Sequence, residues 1–180
     1  GLIYEQLPAW FAVSVMAHEV TASRIYAEAN PEQRERFMPD LFSGRKIAGT
    51  ATSEPGAGSD PRGLTTRMDV DGDTAIVNGR KLWISNGSVA DIIAVTCIDG
   101  VDAKGRNTLK RIVVEPAVSN VEIREIETVG LQQGHLCEAV FEDCRVPVEN
   151  ILSSGGDAAK MLTVTWNGNR GGADARGRVG

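Results

Sequence analysis

The sequence predicts an α+β fold in which a helical segment is followed by an antiparallel β-barrel-like domain and then by a further helical stretch. Three features support this order. Apolar residues recur with helical spacing up to about residue 46, the spacing becomes that of strands from residue 47, and a helical pattern returns at residue 157. We therefore expect three units, comprising residues 1–46, 47–156 and 157–180.

The first unit contains two predicted helices. The earlier one covers residues 7–29, because apolar residues repeat at steps of three, four and seven along one stripe. These are Phe11, Val15, Ala22, Ile25 and Ala29. Asn30 and Pro31 then end this helix and begin the next, since asparagine caps helices and proline suits the first helical position. Gln33 stands where a capping-box partner belongs, and the second helix is expected to end near Gly44.

The middle unit contains seven or eight short strands separated by turn residues. They are predicted at residues 47–52, 65–70, 74–77, 80–84, 92–98, 109–115, 121–126 and 137–141. Asp71, Gly72 and Asp73 form one turn, and the pair Asn78-Gly79 predicts a tight hairpin. Because no helix long enough for a parallel crossover lies between these strands, an antiparallel barrel or sandwich is expected.

A third helical stretch begins at Asp157. Glycines at positions 168, 171 and 172 lie within it, and each one costs roughly 1 kcal/mol in a helix interior relative to alanine. The chain begins at Gly1 without a methionine and stops inside this stretch. We therefore expect it to be a fragment of a longer protein, with the last unit truncated.

The overall composition excludes several classes of function. The chain has 180 residues and a formal charge of −5, which argues against binding to a nucleic-acid backbone. No apolar run approaches the roughly 20 residues that a membrane-spanning helix needs. The three cysteines, Cys97, Cys137 and Cys144, lack metal-site spacing and are expected to be reduced. His18 and His135 have no second ligand at metal spacing, so no metal site is expected.

The first candidate site is the segment TATSEPGAGSD at residues 50–60. A predicted strand runs here into a loop with two glycines, whose backbone N–H groups and hydroxyls could bind polar ring edges or phosphates. The segment lacks the lysine of a P-loop and is not GxGxxG, so it is no mononucleotide signature. Taken alone, it could equally be a surface turn.

The second candidate site is the segment KLWISNG at residues 81–87. Trp83 and Ser85 alternate with Leu82 and Ile84, so they are expected to share one face of a strand. An indole beside a hydroxyl suits an aromatic ring system. The alternative is a tryptophan packed in the core, with the serine at a strand end.

Together, the two segments and their spacing resemble the acyl-CoA dehydrogenase family. The resemblance extends before them, through PEQRERFMPDLFSGRKIAG, and after them, through VGLQQGHLCEAVFEDCRVPVENIL. It implies an N-terminal helical domain, a β-barrel-like middle domain and the start of a C-terminal helical bundle. It also implies FAD as cofactor, an acyl-CoA substrate, an electron-transfer flavoprotein as partner and a homotetramer. The reduced cysteines indicate a reducing compartment, so a location in the cytoplasm or the mitochondrial matrix is expected.

By this resemblance, a set of residues from the two segments contacts FAD. They are Thr50, Ala51, Thr52, Ser53, Gly58, Ser59, Trp83, Ile84 and Ser85. Ser53 and Ser85 stand where the family commonly has threonine, so a hydroxyl remains and a methyl group is absent. Ser59 is also expected to line the acyl-CoA channel, and Arg170 is expected near the substrate thioester.

The implied reaction is α,β-dehydrogenation of an acyl thioester, in which a carboxylate removes the α-proton and the flavin accepts the β-hydride. The base is expected beyond Gly180, because Asn169 stands where one branch of the family places it and an amide is not a base. Glu54 lies in the cofactor loop and is not expected to serve. Two alternatives remain, namely a flavin oxidase or monooxygenase of the same fold, and a subunit without activity of its own.

Overall fold

The computed structural model describes residues 2–58, 60 and 63–152. Three helices come first: α1 (Leu2–Glu5), α2 (Ala9–Glu28) and α3 (Pro31–Phe42). The predicted junction between α2 and α3 is confirmed. The Asn30 side chain accepts a hydrogen bond from the Gln33 backbone N–H at 2.8 Å, and the Gln33 side chain accepts one from the Asn30 N–H at 3.0 Å. The third predicted helical stretch lies outside the described residues.

Within the described residues, seven strands follow the helices and form one sheet. They are β1 (Ala48–Ala51), β2 (Arg67–Asp71), β3 (Thr74–Ile84), β4 (Ile92–Val101), β5 (Asn107–Val114), β6 (Val121–Glu125) and β7 (Cys137–Pro147). Their order is β1-β4-β2-β3-β7-β6, with β5 paired to β4. The predicted α+β class is confirmed, while the sheet is mixed rather than wholly antiparallel. Strand β1 runs parallel to β4, because the β2–β3 hairpin provides the crossover that a helix usually provides.

The predicted hairpin at Asn78-Gly79 is wrong. Strand β3 continues through both residues. The other predicted turn, at Asp71-Gly72-Asp73, is confirmed, since Asp71 pairs with Thr74. Gly79 is required for close approach. It has a φ of +149°, and a Cβ atom there would lie 2.4 Å from Thr66 Oγ1. The pairing of β3 with β7 shifts register at this point, so the glycine marks a bulge and not a reversal.

Helices α2 and α3 pack on the sheet through an apolar cluster. Its members are Ala22, Ile25, Ala29, Phe37, Met38, Leu41, Ala48, Ile92, Ala94, Val113 and Leu152. The C-terminal half of the predicted α2 stripe is therefore buried, whereas Phe11 is 43% exposed. His18 joins the layers, because its Nδ1 accepts from the Ala48 N–H and its Nε2 then donates to the Leu41 carbonyl, each at 3.0 Å. All three cysteines are buried and free.

Candidate functional site

A pocket of about 260 Å³ lies between α2 and the ends of β1 and β3. Its lining residues are Val13, Met16, Ala17, Val20, Thr21, Arg24, Thr50, Trp83 and Ser85. The helix contributes a mainly apolar wall, while the strands contribute an indole and two hydroxyls. The pocket therefore joins both segments that the sequence analysis selected.

Trp83 is held in an unusual backbone conformation. Its φ is +63°, a region that bulky side chains rarely occupy and that costs about 1–3 kcal/mol. The cause is a bulge in β3, since Lys81 pairs with Ala139 but Ile84, three residues later, pairs with Cys137 only two residues away. Trp83 is 56% exposed, so the alternative of a tryptophan packed in the core is excluded. The bulge, and not simple strand alternation, brings Trp83 into the same pocket as Ser85.

Ser85 is positioned by its neighbours in space. The next residue, Asn86, is buried and has a φ of +65°. Its side-chain amide accepts from the Ser14 hydroxyl at 2.6 Å and donates to the carbonyls of Ser14 and Ala48, at 2.9 and 3.2 Å. Gly49 lets β1 approach, because a Cβ atom there would lie 2.9 Å from the Ser85 carbonyl oxygen. The end of β3 is thereby tied to both α2 and β1.

Thr50 has a hydroxyl that faces α2. The hydroxyls of Thr50 and Thr21 lie 2.7 Å apart, and the Thr21 hydroxyl also donates to the Ala17 carbonyl at 2.7 Å. Because a hydroxyl has only one proton, Thr50 is the donor to Thr21. The Thr50 oxygen is then left as an acceptor, so it favours a ligand group that carries an N–H or O–H.

A buried ion pair holds the glycine-containing loop against β3. Lys81 Nζ donates to Glu54 Oε1 at 2.7 Å and to the Thr52 carbonyl at 3.1 Å. The same carboxylate accepts from the Thr65 N–H and hydroxyl, each at 2.7 Å, and from the Thr66 N–H at 3.0 Å. Burial alone would raise the pKa of Glu54, but these hydrogen bonds outweigh it and lower the pKa to about 2.

These contacts use Glu54 as an anchor, which agrees with its exclusion as the catalytic base. Lys81 was not among the site residues predicted from the sequence, although a signal was present. Lys81 stands in phase with Ala75 and Val77 of β3, both of which are completely buried. A lysine at an inward-facing strand position predicts a buried carboxylate partner.

The other predicted cofactor contacts that the structure describes are not among the residues that line this pocket. Ala51 and Ile84 are completely buried. Thr52 shares a hydroxyl hydrogen bond with Thr96 at 3.1 Å, and the Ser53 carbonyl accepts from the Leu82 N–H at 2.8 Å. Gly58 is exposed. Ser59 and Arg170 lie outside the described residues.

The family model described as "Acyl-CoA dehydrogenase, middle domain" matches residues 49–144, which is more than half of the chain. The chain belongs to the acyl-CoA dehydrogenase family. The resemblance inferred from the two motifs is thus confirmed, and the matched residues include both the loop with Glu54 and the bulge with Trp83.

Relatives and solved structures in this family agree. The chain is 33% identical over 157 residues to the mitochondrial isobutyryl-CoA dehydrogenase of Dictyostelium discoideum, covering 87% of this chain and 38% of the relative. It is 31% identical to the short-chain acyl-CoA dehydrogenase of Clostridium acetobutylicum, covering 88% of this chain and 42% of that protein. The chain therefore spans about two fifths of the length of the curated relatives it matches.

Two solved acyl-CoA dehydrogenases share the fold. Butyryl-CoA dehydrogenase from Megasphaera elsdenii has a TM-score of 0.82 and 29% identity, covering 90% of this chain and 43% of that one. A Mycobacterium smegmatis glutaryl-CoA dehydrogenase in complex with FADH2 has a TM-score of 0.76 and 27% identity, covering 84% and 38%. Within the described residues, no helix is long and apolar enough to cross a membrane.

Proposed function

We propose that this chain forms the flavin- and thioester-binding centre of an FAD-dependent acyl-CoA dehydrogenase. One observation carries the proposal. The exposed indole of Trp83 is held in a strained left-handed conformation beside two hydroxyls, those of Thr50 and Ser85, at one pocket. Strain of this kind persists where surrounding structure over-determines it, and it concentrates at binding and catalytic sites.

The side chains present fit the ring system of FAD. Trp83 offers a flat face for stacking, Ser85 offers a hydroxyl donor, and Thr50 offers an acceptor for a ring N–H. The loop of residues 50–58, together with Ser59, is proposed to bind the remaining polar groups of the cofactor. FAD supplies the redox chemistry when bound, and a structure of one relative was solved with FADH2.

The apolar wall of α2 is proposed to receive the acyl group of a CoA thioester. Val13, Met16, Ala17 and Val20 supply that wall without hydrogen-bonding groups. None of the described lining residues is a carboxylate, so the α-proton must be removed by a group from elsewhere in the whole protein. The base is proposed to lie beyond Gly180, with Arg170 near the thioester.

The remaining features of the whole protein are proposed from the family. They are transfer of electrons to an electron-transfer flavoprotein, a homotetramer, and a location in the cytoplasm or the mitochondrial matrix. Several relatives are described as mitochondrial, which supports the last of these for a eukaryotic source. The three-unit division at residues 47 and 157 also stays a prediction.

An anaerobic visible spectrum of the full-length protein tests the proposed function. Titration with a panel of acyl-CoA thioesters should bleach the oxidised flavin, because dehydrogenation reduces it. A flavin spectrum that no thioester changes, combined with rapid reaction with oxygen, would indicate an oxidase or monooxygenase. Purification without any flavin would indicate a subunit that is not catalytic.

A further inference from the structure

Two residues with left-handed backbone conformations enclose the end of β3. Trp83 has a φ of +63° and Asn86 a φ of +65°, and side chains larger than glycine rarely occupy this region. Ser85 lies between them and lines the pocket together with Trp83. The chain turns on both sides of Ser85, so the placement of this serine depends on the contacts that hold the two turns.

The side-chain amide of Asn86 is completely paired. Its oxygen accepts from the Ser14 hydroxyl at 2.6 Å, and its nitrogen donates to the carbonyls of Ser14 and Ala48 at 2.9 and 3.2 Å. Both amide protons are therefore used. A flipped amide would bring its oxygen against two carbonyl oxygens, so these contacts allow only one orientation. Asn86 is completely buried, and losing the contacts would leave polar groups unpaired.

These contacts connect the elements that form the pocket. Ser14 belongs to α2 and follows Val13, which lines the pocket. Ala48 belongs to β1 and lies two residues before Thr50, which also lines it. Asn86 is not itself among the lining residues. It nevertheless fixes the end of β3 relative to both other elements.

We propose that Asn86, held by Ser14, is a positioning residue that places the Ser85 hydroxyl for the flavin ring. This inference rests on the proposed function, in which Ser85 offers the ring a hydroxyl donor. Hydrogen bonds weaken steeply outside narrow ranges of distance and angle, so the backbone around Ser85 has to be fixed. Asparagine suits this position, because it enters the left-handed region more readily than most residues and its amide pairs in three directions.

The midpoint potential of the bound flavin in the full-length protein tests the inference without any substrate. Ser85→Ala removes one hydrogen bond to the ring. The ratio of reduced to oxidised flavin at a fixed potential should change by about three- to tenfold, which is about 15–30 mV for a two-electron couple. Asn86→Gly keeps the left-handed conformation without the amide, and it should shift the potential in the same direction. The double variant should show no shift beyond that of Ser85→Ala, because residues that act through one contact are not additive.

Two further variants separate positioning from stability. Ser14→Ala removes one of the bonds that hold Asn86, so it should shift the potential in the same direction by a smaller amount. Asp143→Gly is the matched control. Asp143 also has a positive φ, of +46°, and it exchanges hydrogen bonds with Asn78 at 2.8 and 3.1 Å, but neither residue lines the pocket. This control should leave the potential unchanged, whatever its effect on unfolding.

Each other outcome has a defined meaning. The inference is overturned if Ser85→Ala leaves the potential unchanged, or if the two shifts add in the double variant, since Asn86 then acts by another route. A loss of stability in Asn86→Gly with an unchanged potential shows a purely structural role and overturns it as well. If Asn86→Gly does not fold, Ser14→Ala takes its place in the double variant.

Failure of the proposed function gives different results. A full-length protein that purifies without flavin contradicts that function, and this inference with it. A flavin that no thioester bleaches contradicts the dehydrogenase activity alone, because the potential is measured without a substrate.

Discussion

The two buried ion pairs of this chain differ in how completely they are satisfied. In the pair of Glu54 and Lys81, the carboxylate accepts three further hydrogen bonds and the ammonium group donates a second one. In the pair of Glu28 and Arg111, two of the guanidinium nitrogens have no partner within the described residues, and a second arginine stands nearby. The polar groups of the first pair form hydrogen bonds within the chain, whereas N–H groups of the second pair have no acceptor among the described residues.

The two pairs also join different parts of the fold. Lys81 connects the loop at Thr52 and Glu54 to β3, two residues before Trp83. The ion pair therefore holds together the two segments that border the pocket. Arg111 joins β5 to α2 through Glu28, and among the described residues Nε of Arg24 and both Nε and Nη2 of Arg111 have no partner.

The largest expected effect comes from Lys81→Met in the full-length protein. It leaves the Glu54 carboxylate buried without its cation, which should lower the free energy of unfolding by about 3–5 kcal/mol. Urea denaturation followed by circular dichroism measures this change. The double variant Glu54→Gln, Lys81→Met should recover part of the loss, because no charge then stays buried. A loss below about 1 kcal/mol for the single variant would show that the pair is dispensable.

Low pH should weaken the ion pair of Glu54 and Lys81. The pKa of Glu54 is about 2 in the folded protein against a usual value of 4.5. A folded pKa below the unfolded one stabilises the protein above pH 4.5, and this contribution is lost as the pH falls towards 2. The loss should amount to about 3 kcal/mol, since one pKa unit corresponds to 1.36 kcal/mol. The pH dependence of urea denaturation measures it, and the double variant should lack this component.

Arg111→Met is the direct comparison with Lys81→Met, and its loss of unfolding free energy should be smaller. The variant removes two unpaired buried donors and one of two neighbouring cations. The positive charge of Arg24, one helical turn from Glu28, stays in place beside that carboxylate. We expect a loss of only about 1–2 kcal/mol in unfolding free energy. Thermal and urea denaturation of the two variants side by side provide the test. A loss as large as that of Lys81→Met would remove the distinction between the two pairs.

The smallest expected effect concerns the backbone strain at Trp83, which lies at the bulge in β3. Replacement by glycine should yield a protein about 1 kcal/mol more stable than replacement by alanine, because glycine adopts a φ of +63° without steric cost. Denaturation of the two variants measures this difference. Both should bind FAD more weakly than the unaltered protein, which equilibrium dialysis can determine. Equal stability of the two variants would mean that the conformation is not strained.

Much of the local structure and the family were predictable from the sequence. The junction of α2 and α3 depends on Asn30, Pro31 and Gln33, which interact within four residues of one another. Thr50, Trp83 and Ser85 were selected because two short segments carry a recognisable pattern, and the structure brings all three to one pocket. Ala51 and Ile84 were selected by the same pattern, but both are completely buried, which neither segment shows by itself.

The sequence by itself determined the features in which neighbouring residues interact directly, such as helix caps, strand propensity and the family motifs. Only the tertiary structure decided the course of β3, because pairing with β7 carries that strand through Asn78-Gly79, where the local pattern predicts a turn. It alone also decided both buried ion pairs, whose partners lie 27 and 83 residues apart. The physical reason is that strand register and the packing of α2 on the sheet select these partners, and neither is encoded in a short stretch of residues.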